Sequence, residues 1–129
     1  MAAPSQGVVG IAIERDRQQD EDGFTPEHDT RHEPGELAQA GIAFALAAYR
    51  SLRYQAQLPK RPPLDRYEPE DVWPWEPVAG TTGNGPPDFD GDDPVQLLKS
   101  AGALIAAEID KRLAERQALD SDPLIGAHD

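Results

Sequence analysis

The chain of 129 residues contains no cysteine, few aromatic side chains and no long apolar run. The lack of cysteine excludes disulfides, thiolate metal sites and a cysteine nucleophile, and it agrees with a reducing cytoplasm. No apolar stretch approaches the ~20 residues of a membrane-spanning helix. Residues 1–7 also lack the basic start and apolar core of a secretion signal. These absences predict a cytoplasmic protein that does not act on a membrane.

Basic residues are scarce as well, with 12 lysines and arginines against 24 aspartates and glutamates. The resulting formal net charge of -12 disfavours binding to nucleic-acid phosphates and to anionic lipid. A partner with a basic surface, or a small ligand held by a few arginines, remains compatible with this charge.

Length and composition together predict one thin domain over residues 1–129. Residues 1–7 and 118–129 are predicted to be mobile tails. Glycine, asparagine, proline and aspartate make 80–92 a predicted flexible loop. The predicted fold class is mainly α, a small three-helix domain with long proline-rich connections and little or no sheet.

The three predicted helices differ in how their apolar residues are arranged. Residues 8–19 carry a single apolar stripe, and residues 36–54 are apolar around most of the circumference, so the second helix is predicted to be central and most buried. The third helix is predicted from Pro94 to about residue 117, with Asp93 as its N-cap. On the first helix Val9, Ala12 and Ile13 lie on one side, together with Asp16. The apolar face of the third consists of Leu98, Ala101, Gly102, Ile105, Ile109 and Leu113.

Two glycines and two tryptophans predict how these helices are held together. Glycine inside a helix costs about 1 kcal/mol relative to alanine, so Gly41 and Gly102 are predicted to face each other where the second and third helices cross closely. The prolines of residues 58–77 predict an extended crossing without regular helix. Trp73 and Trp75 are expected to pin that crossing to the core.

Residues 23–32 bring an aromatic ring, two histidines, carboxylates and an arginine together between the first two helices. A predicted helical turn over 26–31 places His28 and His32 four residues apart, on the same side of the turn. With Asp29 they could share a divalent ion. Because no second cluster of ligand residues stands elsewhere, no metal and no other cofactor is predicted. The alternative is that these side chains hydrogen-bond the loop to the second helix.

Carboxylates spaced as in helical nucleotide pyrophosphohydrolases occur twice, at Glu33 with Glu36 and at Glu68 with Asp71. Such pairs bind magnesium when a helix aims both oxygens at one point. Both pairs here enclose a proline, and the second lies in a segment predicted to be non-helical. No catalytic residue is therefore predicted, and a metal-dependent nucleotide hydrolase is kept as the enzyme alternative.

Arginines and aromatic rings could also form a pocket for a phosphorylated, base-containing molecule. The side chains that could converge in this way are Arg15, Arg17, Phe24, Arg31, Trp73 and Trp75. Two alternatives stay open. The tryptophans could fill the core, and the arginines of the first helix could pair with neighbouring carboxylates.

Five motifs of the chain resemble a family of small phage and prophage proteins. They are ERDRQ at 14–18, DGFTPEHD at 22–29 with His32, GELA at 35–38, WPW at 73–75 and KSAGALIAAEI at 99–109. The chain departs from the family pattern at Phe24, where the family has tryptophan, at Thr30, where it has aspartate, and after Trp75. The resemblance implies a phage setting, the host cytoplasm and a role in host takeover or counter-defence.

The order of these motifs is also similar, more weakly, to the ryanodine-receptor repeat domain, which implies a nucleotide-derived ligand. The leading hypothesis is a phage-encoded protein that sequesters an immune signal of the cyclic nucleotide or cyclic ADP-ribose type without catalysis. The ligand-binding residues would be Arg15, Arg17, Phe24, His28, Asp29, Arg31, His32, Trp73 and Trp75. The arginines would bind phosphate, the rings would stack on the base, and the histidines with the aspartate would hydrogen-bond the ribose.

A thin three-helix unit buries little apolar surface, so a homo-oligomer is expected, a dimer or larger, with the second or third helix at the interface. The alternative function is that of an acidic interaction protein, which would inhibit a host defence protein by covering a basic surface on it.

Overall fold

The computed structural model describes residues 3–21, 33–75, 86–91 and 93–120. These ranges form four α-helices and two 3-10 turns, at Leu64–Arg66 and Phe89–Gly91. The helices are α1 (Gln6–Glu21), α2 (Glu36–Gln55), α3 (Pro69–Val72) and α4 (Pro94–Asp120). The described ranges contain no strand, so the mainly α prediction is confirmed. None of these helices is both long and apolar enough to cross a bilayer.

The three long helices extend beyond their predicted ends. α1 begins inside the predicted tail of 1–7, and α4 continues through the first residues of the predicted tail of 118–129. Of the predicted loop 80–92, residues 86–91 are described and contain a 3-10 turn. The turn predicted over 26–31 lies outside the described residues.

Side-chain caps explain where two of the helices begin. Ser5 Oγ accepts a hydrogen bond from the Val8 backbone N–H at 3.2 Å, at the start of α1. Asp93 Oδ1 accepts one from the Val95 N–H at 3.1 Å. The predicted N-cap of the third helix is thus confirmed, with Pro94 at the first helical position, where no amide hydrogen is needed.

The central helix is α4, because it packs against both α2 and α1. The second helix is therefore not the middle one of the three long helices, but its predicted burial is confirmed, since seven of the 20 residues of α2 are buried against eight of the 27 of α4. Buried residues at the α2–α4 contact are mostly small, and the cores they form join Leu37, Ala40, Leu104 and Ala107 in one cluster and Ala43, Ala47, Ala48, Phe89 and Leu97 in another. Small side chains let the two backbones approach, so this contact carries most of the core.

Gly41 makes the predicted close crossing of α2 and α4. A Cβ atom at Gly41 would lie 3.0 Å from the carbonyl oxygen of Ala101 and 3.1 Å from Cγ1 of Ile105. Gly102 does not face α2 as predicted. A Cβ there would lie 2.7 Å from Cδ1 of Ile11, so Gly102 makes room for α1 instead.

The apolar faces predicted for the first and third helices lie mainly on the outside of the described structure. On α1, Val9 is 43% and Ile13 64% exposed, and on α4 Ile109 is 53% exposed. Leu98, Ile105 and Leu113 are exposed in the same way, whereas Ala101 of that predicted face is buried. The prediction of a core-facing stripe was therefore wrong for both helices. Since α4 is apolar on several sides, close backbone approach along its alanines decided which side met α2.

The proline-rich crossing contains one helical turn that the sequence did not predict. Pro69 begins α3, where its missing amide hydrogen costs nothing and its fixed φ angle suits a helix. The exclusion of helix from residues 58–77 was therefore wrong for Pro69–Val72, the segment that follows Glu68.

Candidate functional site

The two arginines of α1 named as ligand-binding residues are engaged with carboxylates. Arg15 Nε donates to Asp110 Oδ2 at 3.3 Å, and the Arg15 side chain is only 8% exposed. Arg17 Nε donates to both carboxylate oxygens of Glu14 at 3.0 Å. These contacts support the alternative in which the arginines pair with neighbouring acids.

Glu14 is a buried carboxylate between α1 and α4. Gln96 Nε2 also donates to it, at 3.1 Å. Burial by itself would raise the pKa of Glu14, but the hydrogen bonds from Arg17 and Gln96 and the charge of Arg17 outweigh it and lower the pKa below its ordinary value. The folded protein therefore favours the ionised form.

Acidification is expected to weaken the attachment of α1. Because the pKa of Glu14 is lower in the folded than in the unfolded chain, its contribution is fully present above the ordinary glutamate pKa of about 4.3 and is lost as the pH falls through the depressed folded value. Urea unfolding followed by circular dichroism between pH 3 and pH 7 measures this. Between pH 7 and pH 3 the free energy of unfolding of Glu14→Gln should fall less than that of the unchanged protein, whereas Glu115→Gln, at an exposed position, should lose as much as the unchanged protein. An equal loss in Glu14→Gln and the unchanged protein would contradict the assignment to Glu14.

The two tryptophans belong to an aromatic cluster with Phe44 and Phe89. The rings of Trp73 and Trp75 meet edge to face, with centroids 5.1 Å apart, and Trp73 lies 5.8 Å from Phe44. Trp75 Nε1 donates to Glu36 Oε2 at 2.8 Å. The crossing is thus pinned to the core as predicted, and the position of the indoles supports the alternative in which they fill the interior.

The predicted site is only partly described. Phe24, His28, Asp29, Arg31 and His32 lie outside the described residues, so their roles stay predictions. The other four members are Arg15, Arg17, Trp73 and Trp75. The contacts given above join the arginines to carboxylates of α1 and α4, and the indoles to aromatic rings and to a glutamate at the start of α2. Neither set identifies a ligand.

A cleft of about 580 Å³ lies elsewhere, at the carboxyl end of α2. We call it the α2 cleft. Its walls come from the last turns of α2, from the crossing at 58–70 and from the 3-10 turn at Phe89. Its charged lining residues are Arg50, Arg53, Lys60, Asp65, Glu68, Glu70 and Asp90. The volume is within the range of roughly 300–1,000 Å³ that small-molecule sites occupy.

The end of α2 forms the cleft through a reversal of the chain. Gln57 has a left-handed conformation, with φ of 57°, and its N–H donates to the Tyr54 carbonyl oxygen at 3.0 Å. The Leu58 N–H donates to the Arg53 carbonyl oxygen at 2.9 Å. This pair of bonds is a Schellman motif. It turns residues 58–60 back over the helix end, where they become one wall of the cleft.

Backbone carbonyls hold the two arginines of the cleft. Arg50 Nη1 donates to the Tyr67 carbonyl oxygen at 2.8 Å, and Nη2 lies 3.1 Å from Glu68 Oε1. Arg53 Nη2 donates to the Pro59 carbonyl oxygen at 2.9 Å, and its guanidinium carbon lies 5.7 Å from the ring centroid of Tyr49. Both forks are therefore positioned before any ligand arrives, which reduces the ordering cost of binding.

One hydrogen-bond donor of Arg53 is unsatisfied within the described ranges. Its Nε atom is buried and has no hydrogen-bond partner among the described residues. A buried unsatisfied donor costs about 1–3 kcal/mol, so a group that accepted a hydrogen bond there would recover part of that cost. Because Arg53 Nε has almost no accessible surface, it does not itself offer a contact to a ligand in the cleft.

Positive charge is concentrated in this part of the chain. Residues 50–66 contain five of the 12 basic residues and one of the 24 acidic residues, a formal charge of +4 in a chain of -12. The sequence reasoning missed this segment because it considered the charge of the whole chain. A charge count by segment would have shown it. A second signal is the placement of two arginines and a tyrosine, at 50, 53 and 54, on neighbouring helical turns.

Comparison of the chain with models of known protein families, with curated proteins and with solved structures found no match. Within the described ranges, no group of three or more histidine, aspartate and glutamate side chains is placed to hold a metal ion. The histidines of residues 23–32 lie outside those ranges.

Proposed function

We propose that this protein binds a small anionic molecule that carries a base, of the nucleotide type, in the α2 cleft. The observation that carries the proposal is the pair of guanidinium groups fixed by backbone carbonyls at the edge of a 580 Å³ cleft, with Lys60 beside them. Guanidinium forks match phosphate oxygens in geometry as well as in charge. Residues 50–66, which supply more than half of the lining, carry a formal charge of +4 in a chain of -12, which supports phosphate binding here.

The mixed lining of the cleft favours a nucleotide over inorganic phosphate. Four carboxylates also line it, and they would repel a ligand that is negative throughout. The same carboxylates could accept hydrogen bonds from ribose hydroxyls or from the amino group of a base. Tyr54, which is 85% exposed, offers a ring on which a base can stack.

The biological role that we propose is removal of such a molecule from solution. The resemblance to phage and prophage proteins supports a host immune signal as the ligand, of the cyclic nucleotide or cyclic ADP-ribose type. The site predicted at residues 23–32, with His28 and His32, is a separate prediction, since these residues precede α2 in the chain and the α2 cleft lies at the carboxyl end of that helix. Capture without catalysis requires only affinity, which an organised cleft can supply.

The first experiment identifies what the purified protein retains. It is incubated with a mixture of linear and cyclic nucleotides, filtered to remove unbound ligand, and heated so that bound molecules are released for mass spectrometry. Release of an intact nucleotide supports capture. Release of cleaved nucleotide would support the hydrolase alternative. If heating the retained protein released no nucleotide, the binding proposal would be overturned.

Two substitutions test whether the ligand lies in the α2 cleft. Lys60→Gln removes an ammonium group that can form an ion pair with phosphate, and Tyr54→Ala removes the ring on which a base can stack. Each change is expected to weaken binding about 10-fold or more. Both side chains are exposed, so the melting temperature should not change. Isothermal titration with the nucleotide identified above measures the affinity.

The matched control is Arg116→Gln, which removes the same charge from an exposed position on α4. Its affinity should equal that of the unchanged protein. Equal losses in Lys60→Gln and Arg116→Gln would show a nonspecific charge effect, and undiminished binding in both cleft variants would place the ligand elsewhere.

The segregation of charge also favours a second candidate function. Outside residues 50–66 the chain has a formal charge of -16, which suits a surface that covers a basic partner protein. Binding of that kind should fall steeply as salt is raised and should need no nucleotide. A salt titration of the interaction with a basic host protein, with and without nucleotide, separates the two functions.

A further inference from the structure

The first helix is packed with its polar side inward. Toward α4 it buries Glu14, Arg15 and Gln18, which are 5%, 7% and 3% exposed. The opposite side is apolar and open, and we call it the α1 face. It consists of Val8, Val9, Ala12 and Ile13, of which Val8 is 58% and Ile13 64% exposed.

Polar contacts make up much of what holds α1 on α4. They include the Arg15–Asp110 ion pair and a hydrogen bond of 3.5 Å from Gln18 Nε2 to the Ser100 carbonyl oxygen. The Asp110 side chain is 53% exposed, and an ion pair open to water on one side contributes little to stability. Ile11 packs over Gly102 at the same contact. Burial of the α1 face against another apolar surface would add hydrophobic stabilisation to this helix.

The α1 face is also free of charge, in a chain where 28% of residues are charged. Residues 3–13 contain no aspartate, glutamate, lysine or arginine over eleven positions. Two molecules of net charge -12 repel each other wherever their carboxylates meet. A second copy can approach this uncharged surface at a lower electrostatic cost than it would meet at most other parts of the molecule.

We propose that a second copy of this chain covers the α1 face, with the two α1 helices antiparallel across a two-fold axis. If the axis passes between Val9 and Ile13, Asp16 of each copy lies beside the first turn of the other α1. That turn contains no acidic residue, and the positive end of the helix dipole favours a nearby negative charge, even with Ser5 accepting hydrogen bonds from the Val8 and Val9 N–H groups. A parallel pair would instead set the two Asp16 carboxylates against each other.

The size of this contact predicts a weak dimer. The helical part of this uncharged stretch, residues 6–13, spans about 12 Å, which makes the interface small beside the roughly 1,200–2,000 Å² of stable complexes. A dissociation constant in the micromolar range is therefore expected.

The sequence suggested an oligomer interface on the second or third helix. An interface on the third helix would use the exposed stripe of α4 instead of the α1 face, and the two arrangements can be told apart.

Sedimentation velocity of the full chain, from about 1 to 500 µM, tests the proposal against the micromolar affinities typical of small interfaces. The unchanged protein is expected to pass from monomer to dimer. Ile13→Asp should stay monomeric over the same range with an unchanged circular dichroism spectrum. Ile109→Asp makes the same chemical change at an equally open isoleucine of α4 and should dimerise normally. A monomer at every concentration, or dissociation by Ile109→Asp but not by Ile13→Asp, would overturn the proposal.

A second measurement does not depend on the folding of Ile13→Asp. The chain has no cysteine, so Ala12→Cys introduces a single thiol near the proposed axis. Mild oxidation should link most molecules into disulfide dimers. Leu119→Cys, at an exposed position near the end of α4, gives the level due to random collision. Equal cross-linking of the two variants would contradict the antiparallel α1 pair.

Discussion

Replacing Leu104 by alanine is expected to lower the free energy of unfolding by about 2–5 kcal/mol, the range for leucine truncation in a packed core. Leu104 is 1% exposed and lies with Leu37 and Ala40 where α2 crosses α4. Leu37, Leu97 and Leu104 are the largest fully buried side chains of the described structure. Loss of one of them leaves a cavity that the surrounding alanines cannot fill, so a large loss of stability is expected.

Urea unfolding followed by circular dichroism at neutral pH measures the effect. The control is Leu98→Ala, the same change on the same helix at a side chain that is 46% exposed, where a loss of at most about 0.5–1 kcal/mol is expected. A comparable loss in both variants would mean that α4 packs on α2 through a different face.

Replacing Phe89 by alanine should produce an effect at least as large, a loss of about 3–5 kcal/mol in the free energy of unfolding. The ring is 3% exposed, and its centroid lies 5.2 Å from that of Phe44 and 6.2 Å from that of Trp73. Edge-to-face pairs add about 0.5–1.5 kcal/mol beyond burial. Phe89 also forms a wall of the α2 cleft, so ligand affinity should fall together with stability.

Urea unfolding gives the stability change, and tryptophan fluorescence reports the local one. Emission should shift to the red in Phe89→Ala, since opening the cluster admits water to Trp73. Phe89→Leu keeps an apolar side chain there and should recover more than half of the stability and the emission of the unchanged protein. If Phe89→Ala unfolds at the same urea concentration as the unchanged protein, the 3-10 turn at 89–91 does not pack on α2 as described.

The sequence predicted the elements of this fold better than their arrangement. The N-cap at Asp93, the close approach at Gly41 and the pinning role of Trp73 follow from single residues with strong conformational or packing preferences. Each is confirmed. The one-turn helix at Pro69–Val72 was missed because the prolines were weighed as helix breakers, although proline is favoured at the first position of a helix.

The candidate site was less predictable. The rings and arginines were predicted to share a hollow, which stays a prediction because five of the nine residues lie outside the described ranges. The α2 cleft depends on residues that no local motif connects, such as Arg50 with Tyr67 and Phe89 with the end of α2. The predicted role of residues 23–32 in ligand binding can be tested by measuring the ligand affinity of His28→Ala and His32→Ala.

By itself the sequence determined the mainly α character, the approximate helix ends and the strong negative charge, because caps, prolines and side-chain periodicity act within a few residues of one another. Only the tertiary structure decided that α4 is central, that the apolar stripe of α1 faces outward and that the basic end of α2 borders a cleft. An apolar helix has several sides that can be buried, and which one is buried depends on the closest backbone approach to helices distant in the chain. That choice was made by alanines and by Gly41, and it left the larger apolar side chains of α1 and α4 for another surface to cover.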